Sequence, residues 1–426
     1  MAADRPISHR YEHLDGLRGL AALNVVVGHI VVASDFALYT GLAADSRSQW
    51  DVALSAWPLL LPVAGANFSV CVFLVLSGFV LAHAFHFGRL GALALAVKRA
   101  LRLGVPILFA TLFSWALLAA GLTYNRPVIA LWRSHWLDEQ LAHGAHLADA
   151  LREGTYGSLI GPWSFTTSYD SALWTMPIEF TGSLLLIGLA RVGWRRWKLR
   201  ESRTLAGIVA LIAGVMAYPV YLSLMLFGAA IYLLDPRRLE PRLTRTWLTG
   251  AMLAMAVLLG TAPFSAARGW GWDKMVAAAP AGILPSRCFA LCQGFVVMEK
   301  TARWHAAGAI LLLMAVETSP TVRRMLATKM PLFLGRISFP LYLLHVPLLM
   351  SVGCGTFLLL HAVGLGPRSG LVLAAAVFLG AAIGAATAAT KVVERPSIRI
   401  AAWGGAWVQA RIGRLLRVVN HARDES

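Results

Sequence analysis

The seventeen residues Leu14–Ile30, LDGLRGLAALNVVVGHI, decide how this chain is read. They are apolar over most of the roughly 20 residues that a helix needs to cross a bilayer, yet they hold Asp15, Arg18 and His29. An ionisable side chain at bilayer depth costs about 3 kcal/mol or more unless it faces a bundle interior or water. Arg18 and His29 are eleven residues apart, which leaves them about 20° apart around a helix and roughly 16 Å apart along it. Asp15 falls about 40° from His29 on the same side. The three form one inward stripe, with Arg18 at a membrane boundary and His29 near the midplane. A lone buried histidine is often only a hydrogen-bonded core residue, but an aligned arginine and aspartate argue for a lined cavity that Arg18 and His29 share.

Working outward, the whole chain fits a membrane. It has 426 residues, 58% hydrophobic and 14% charged, with a mean hydropathy of +0.65, far above what a soluble core requires. The formal charge is +17, but the basic residues fall in short hinges between apolar runs, where they set topology. Nucleic-acid binding is therefore not expected. Apolar runs lie near 17–34, 67–86, 101–121, 173–190, 204–217, 219–234, 246–263 and 370–390. A further run contains Leu341 to Leu360, and 276–318 holds one or two more around Glu299, Lys300 and Arg303.

Basic hinges follow the second, fourth and sixth runs, while the segments after the first and third are acidic, an alternation that puts the N-terminus in the cytoplasm. The expected fold is an all-α, polytopic transmembrane helix bundle of about ten spans with both termini cytoplasmic. Residues 11–396 form the transmembrane unit, and the basic tail 397–426 lies on the anionic inner leaflet. The polar start precedes a permanent first span rather than a cleavable signal. Cys71, Cys288, Cys292 and Cys354 sit in apolar stretches and read as packing residues. His83 and His86 share a helix face without a third ligand, so no metal site is expected.

Other polar residues fall inside the runs. Glu179 lies six residues past Leu173, about 9 Å below the outer surface by helical rise, a depth matched by His29. A carboxylate and an imidazole at one depth form either an acid/base pair or a structural ion pair. Pro177 removes a backbone donor and loosens the helix beside Glu179. Arg99 and Arg102, spaced i, i+3, serve either as topological anchors or as a seat for phosphates, which arginine binds bidentately. His345, in SFPLYLLHVPLL, packs in the core or lines the site. Ser77-Gly78 reads as close helix packing. In the outer segment 122–172, Trp132, Trp136, Tyr156 and Trp163 form an interfacial belt or stack on sugar rings. A transporter would also gather Arg, His and Glu inside a bundle, but it predicts repeat symmetry, which the two halves of this sequence do not show.

Six motifs recur together. They are Leu14 to Gly19 with His29; Val72 to Phe79; Arg99 and Arg102 with Pro106; Trp174 to Glu179; Gly335 to Phe339 with Tyr342 and His345; and Glu394-Arg395-Pro396. Over Tyr11 to Pro396 they resemble the acyltransferase-3 family of integral-membrane O-acyltransferases acting on carbohydrates, with Phe339 where that family usually has tyrosine. The resemblance implies transfer of an acyl group, commonly acetyl, from cytoplasmic acyl-CoA to a hydroxyl of an extracytoplasmic glycan. It implies that Arg18, Arg99 and Arg102 hold the donor's phosphates. His29, paired with Glu179, would be the general base or the acyl carrier, and Asp15, Ser77, Trp174 and His345 would support or line the site. Acyl-CoA is implied as co-substrate with no bound cofactor and no metal, and the cell (inner) membrane as location. Transfer would be completed alone or with a separate extracytoplasmic partner, since no attached hydrolase-like domain is visible.

Overall fold

The computed structural model describes residues 11–424 apart from 47, 56, 58–60, 88–89, 162–163, 191–199, 219, 240–245, 263–273, 275–276 and 280–297. Every regular element among the described residues is helical. The principal helices are α1 (Glu12–Ser34), α2 (Leu61–Phe87), α3 (Ala92–Ala119), α4 (Met176–Leu189), α5 (Arg200–Ala217), α6 (Ser223–Leu234), α7 (Thr246–Gly260), α8 (Lys300–Thr318), α9 (Pro320–Leu326), α10 (Lys329–Leu348), α11 (Pro367–Ala389) and α12 (Arg395–Asp424). By length and composition six helical stretches can cross a bilayer, and α8 with α9, bent by 101°, makes up to seven. The chain is thus a multi-pass membrane protein. That number is below the ten expected from apolar runs, because the helices over Thr204–Ala217, Ser223–Leu234 and Trp247–Gly260 are shorter than a straight crossing. Of the stretch 276–318, α8 is helical, while most of the remainder, with Cys288 and Cys292, lies outside the described residues. Cys71 and Cys354 are buried and free.

Helix α1 is central, packed between α2 and α10. Lipid offers no hydrophobic drive for helix association, so close backbone approach through small residues supplies the contact. A side chain at Gly19 would collide with the backbone of Leu334 and Gly335, and one at Gly335 with that of Asp15. Gly78 of α2 and Gly228 of α6 interlock the same way, against Met225 and Val75, so the packing expected of Ser77-Gly78 is the role Gly78 has. Two apolar cores result. Val25 and Val26 of α1 join one with α3, α10 and α11; Leu14 and Leu17 join the other with α2, α6 and α8. The seam between them, where α1 to α4 and α10 converge, is where the cavity described below opens.

Pro177 does not loosen the middle of a helix. A 3-10 turn, Ser171–Thr175, precedes α4, and Pro177 sits in the first turn of α4, where its missing N–H has no intrahelical partner to lose. Glu179 shares that first turn, where the helix dipole favours an anion. Beyond α11, a π-helical turn, Thr390–Glu394, leads into α12, which packs along α3. The stretch Pro367–Leu415 runs 49 residues, about 74 Å by helical rise, so its end lies well beyond any bilayer it crosses. Arg395, Arg399, Arg411, Arg414 and Arg417 of α12 are exposed.

Candidate active site

A cavity of about 150 Å³ opens among α1, α2, α3, α4, α10 and the π-helical turn. Space of that size takes the end of an extended ligand rather than all of it. Its polar lining comprises Arg18, Ser77, Arg99, Arg102, Thr175, Glu179, Ser338, Tyr342 and Glu394. Each arginine carries a carboxylate. Arg18 bonds Asp15 at 2.9 Å, with Nε donating to Ser338 Oγ at 3.0 Å. Arg99 donates through Nε to Ser183 Oγ at 2.9 Å and pairs through Nη2 with Glu179. Arg102 Nη2 donates to Glu394 Oε1 at 3.0 Å. These pairs leave gaps: Arg102 Nη1 and Glu394 Oε2 are buried without a partner among the described residues. Arg18 is the most open of the three, its side chain 42% exposed.

The pairing expected between Glu179 and His29 does not form. Glu179 accepts from Ser77 Oγ at 2.6 Å and from Arg99. His29 instead meets His345: His345 Nε2 lies 3.1 Å from His29 Nδ1. Local structure explains the difference: residues 171–175 form a 3-10 turn ahead of α4 rather than part of one continuous α-helix, and Glu179 in the first turn of α4 meets Arg99 of α3. His29, five residues before the end of α1, lies about 7.5 Å from that end and under Trp136, ring centroids 5.2 Å apart. It is nearer the C-terminal end of α1 than the middle of that helix.

Arg18 and His29 do not line one cavity, contrary to the reading of their shared stripe. Tyr342 connects the two regions. It lines the cavity, its ring is 5.7 Å from Phe73 and 5.8 Å from His345, and its hydroxyl donates to Ala172 O at 3.0 Å and lies 3.0 Å from Thr175 Oγ1. Trp174, expected in the lining, packs on Tyr221 at 5.3 Å instead. Trp132 is a core residue against Phe357, Tyr156 is exposed, and Trp163 lies outside the described residues. His83 contacts Tyr232 OH at 3.3 Å. Glu394, Tyr342 and Ser338 belong to the motifs, but the sequence assigns none of them a role. A carboxylate at the end of the last long apolar run was the signal that could have singled out Glu394.

The segment 122–172 carries two buried acids. Glu153 accepts from Ser168 Oγ at 2.5 Å and Tyr169 N at 2.9 Å. Asp170, 1% exposed, accepts from Ala172 N at 3.0 Å and caps the turn entering α4. Burial pushes the Asp170 carboxyl well above the usual carboxylate range, and nearby Glu153 adds to the rise. The folded state therefore holds this proton more tightly than the unfolded chain. The stability it contributes is full below about pH 4 and is lost as pH rises through the higher folded value. Asp170→Asn, which keeps the capping oxygen, gains thermal stability relative to wild type as pH is raised from 4 to 8, read as the difference in Tm in detergent. Parallel curves would contradict this.

A family described as "Acyltransferase domain" matches residues 11–390. The chain is 24% identical to the O-acetyltransferase PaAT-1 of Phomopsis amygdali, over 85% of this chain and 75% of that protein. It is 22% identical to the acyltransferase clz18 of Cochliobolus lunatus, over 81% of this chain and 84% of the other. No solved structure matches.

Proposed function

The chain belongs to the acyltransferase domain family and is a membrane acyltransferase, and from that premise we propose that it moves an acyl group, acetyl in the first instance, from cytoplasmic acyl-CoA to a hydroxyl of an extracytoplasmic carbohydrate. The observation that carries this reading is the arginine-lined cavity with one guanidinium nitrogen, Arg102 Nη1, buried and unpartnered among the described residues. A buried cationic donor without an acceptor costs free energy that an anionic ligand relieves. Arg18, half open at the mouth, and Arg102 hold the donor's phosphates. Arg99, engaged by Ser183 and Glu179, fixes the wall, and Glu179 orients Ser77 and Arg99 around the thioester.

The acyl-pantetheine end enters and stops at Phe73, Thr175 and Tyr342, while the adenosine stays outside the mouth and its phosphates reach Arg18 and Arg102. His29 is the general base on the acceptor hydroxyl or takes the acyl group itself. Either course requires the Tyr342 ring to turn aside, which joins the donor cavity to the imidazoles. The spans number ten when α5, α6 and α7 cross together with the seven longer ones. Both ends lie in the cytoplasm of a cell that keeps this protein in its cell (inner) membrane, and α12 presents its arginines to the inner leaflet or the solution beside it. The acceptor approaches through the outer segment 122–172, with or without a separate partner.

The test is purified protein in detergent with acetyl-labelled acetyl-CoA and three acceptors: methyl glucoside, N-acetylglucosamine and octanol. Label on a sugar supports the carbohydrate reading, label on octanol alone overturns it, and no label on any of the three overturns acetyl-CoA as donor for such hydroxyls. Tyr342 gives a second prediction. Closed rings exclude water from a thioester, so Tyr342→Ala raises acetyl-CoA hydrolysis without acceptor above the wild-type rate, while Tyr342→Phe, which keeps the ring, does so less. Equal hydrolysis in all three proteins would contradict the gate.

A further inference from the structure

Two histidines from helices 316 residues apart in sequence meet ring to ring, His29 of α1 and His345 of α10, with centroids 4.9 Å apart. His345 is fully buried and His29 partly so. Their partners fix which atoms carry protons, because a carbonyl oxygen only accepts. His345 Nδ1 lies 2.6 Å from Tyr342 O, so that nitrogen carries the hydrogen, and in the neutral ring Nε2 is the lone-pair side. His29 Nδ1 lies 3.0 Å from Val25 O and 3.1 Å from His345 Nε2. Both neighbours are acceptors, so His29 Nδ1 also carries its hydrogen. His29 Nε2 is left with its lone pair and no hydrogen bond to the described residues.

We infer that His345 is a positioning residue which holds His29 in the Nδ1-protonated form, making His29 Nε2 the atom that reacts. This rests on the acyl-transfer reading above and adds to it which nitrogen acts and what orients it. In direct transfer the acceptor oxygen bonds to the acyl carbon while its proton passes to His29 Nε2. The C–S bond breaks with its electron pair going to sulfur, and the proton then leaves Nε2 for the coenzyme thiolate. While both nitrogens of His29 are protonated, Nδ1–H donates to His345 Nε2. His345 thereby takes the orienting place that a carboxylate commonly holds beside a catalytic imidazole, and it does so without putting a second charge at membrane depth. Tyr342 completes the chain through its backbone carbonyl, while its side chain faces the donor cavity, so one residue of α10 touches both halves of the site.

The test has two arms. In the kinetic arm, kcat and KM for acetyl-CoA are measured with whichever of the three acceptors the wild type labels. His345→Ala lowers kcat about ten- to a hundred-fold, the usual loss on removing a residue that orients a ligand-bearing imidazole, with KM for acetyl-CoA unchanged. His345→Gln, whose amide oxygen can accept from His29 Nδ1, recovers part of that loss. A kcat within twofold of wild type in His345→Ala, a loss confined to KM, or a Gln variant no better than Ala overturns the assignment. The second arm needs neither activity nor a variant that folds poorly. In wild-type protein labelled with 15N-histidine, the ring signals that vanish in His29→Gln report an Nδ1-protonated tautomer; an Nε2-protonated one overturns the proposal. Failure of wild type to acylate any acceptor would sink the function instead, with the tautomer still readable.

Discussion

His29→Ala keeps acetyl-CoA bound but lowers its transfer by about 10²- to 10⁴-fold, the contribution of a positioned base. The expectation follows from placement. His29 lies outside the cavity that Arg18, Arg99 and Arg102 line, so truncating it removes nothing that holds the donor's phosphates. Its loss takes away the only nitrogen of the imidazole pair that lacks a partner among the described residues. Binding is read by equilibrium dialysis with labelled acetyl-CoA and transfer by label on the acceptor. Transfer at the wild-type rate, or donor binding lost together with transfer, would show that the base lies elsewhere.

Arg102→Ala produces the converse, weakening acetyl-CoA binding about ten- to a hundred-fold. A hydrogen bond to a charged group contributes roughly 1.5–3 kcal/mol, and each 1.4 kcal/mol is about a factor of ten. Arg102 Nη1 is buried without a partner among the described residues, so it has a hydrogen bond to give an anion. Truncation also strands Glu394, whose Oε1 is held by Arg102 at 3.0 Å, and part of the effect would appear as lower stability. Arg102→Lys separates the two, since it keeps a cation for Glu394 but not the fork that grips a phosphate; it melts near wild type and binds the donor weakly. Wild-type affinity in both variants would remove Arg102 from the donor site.

Much of the arrangement was legible in the sequence. The apolar runs located the long helices because lipid demands continuous backbone-satisfied spans, and the glycine of Ser77-Gly78 marked a contact that only small residues permit. Arg18, Arg99, Arg102, Ser77 and Glu179 line one cavity; Arg18 and Glu179 stand out in the sequence as charges inside apolar runs, whereas Arg99 and Arg102 read equally well as anchors and Ser77 as a packing residue. The pairings were not legible. Helical rise gives depth only along a straight, fully helical segment, and the 3-10 turn and buried entry at Ser171–Thr175 broke that premise, so Glu179 fell beside Arg99 rather than His29. His345 looked like an isolated imidazole because nothing in sequence relates its face of α10 to the face of α1 that carries His29. Glu394 went unassigned because it follows the last run by a few residues, and only the π-helical turn brings it back to Arg102.

The measurement that bears most directly on the account is a structure determined with a non-transferable acetyl-CoA analogue in which a methylene replaces the thioester sulfur. The account predicts phosphate oxygens within hydrogen-bonding distance of Arg18 and Arg102, and the acetyl end against Phe73 and Tyr342. An analogue bound away from those arginines, or entering from the Trp136 side, would contradict it.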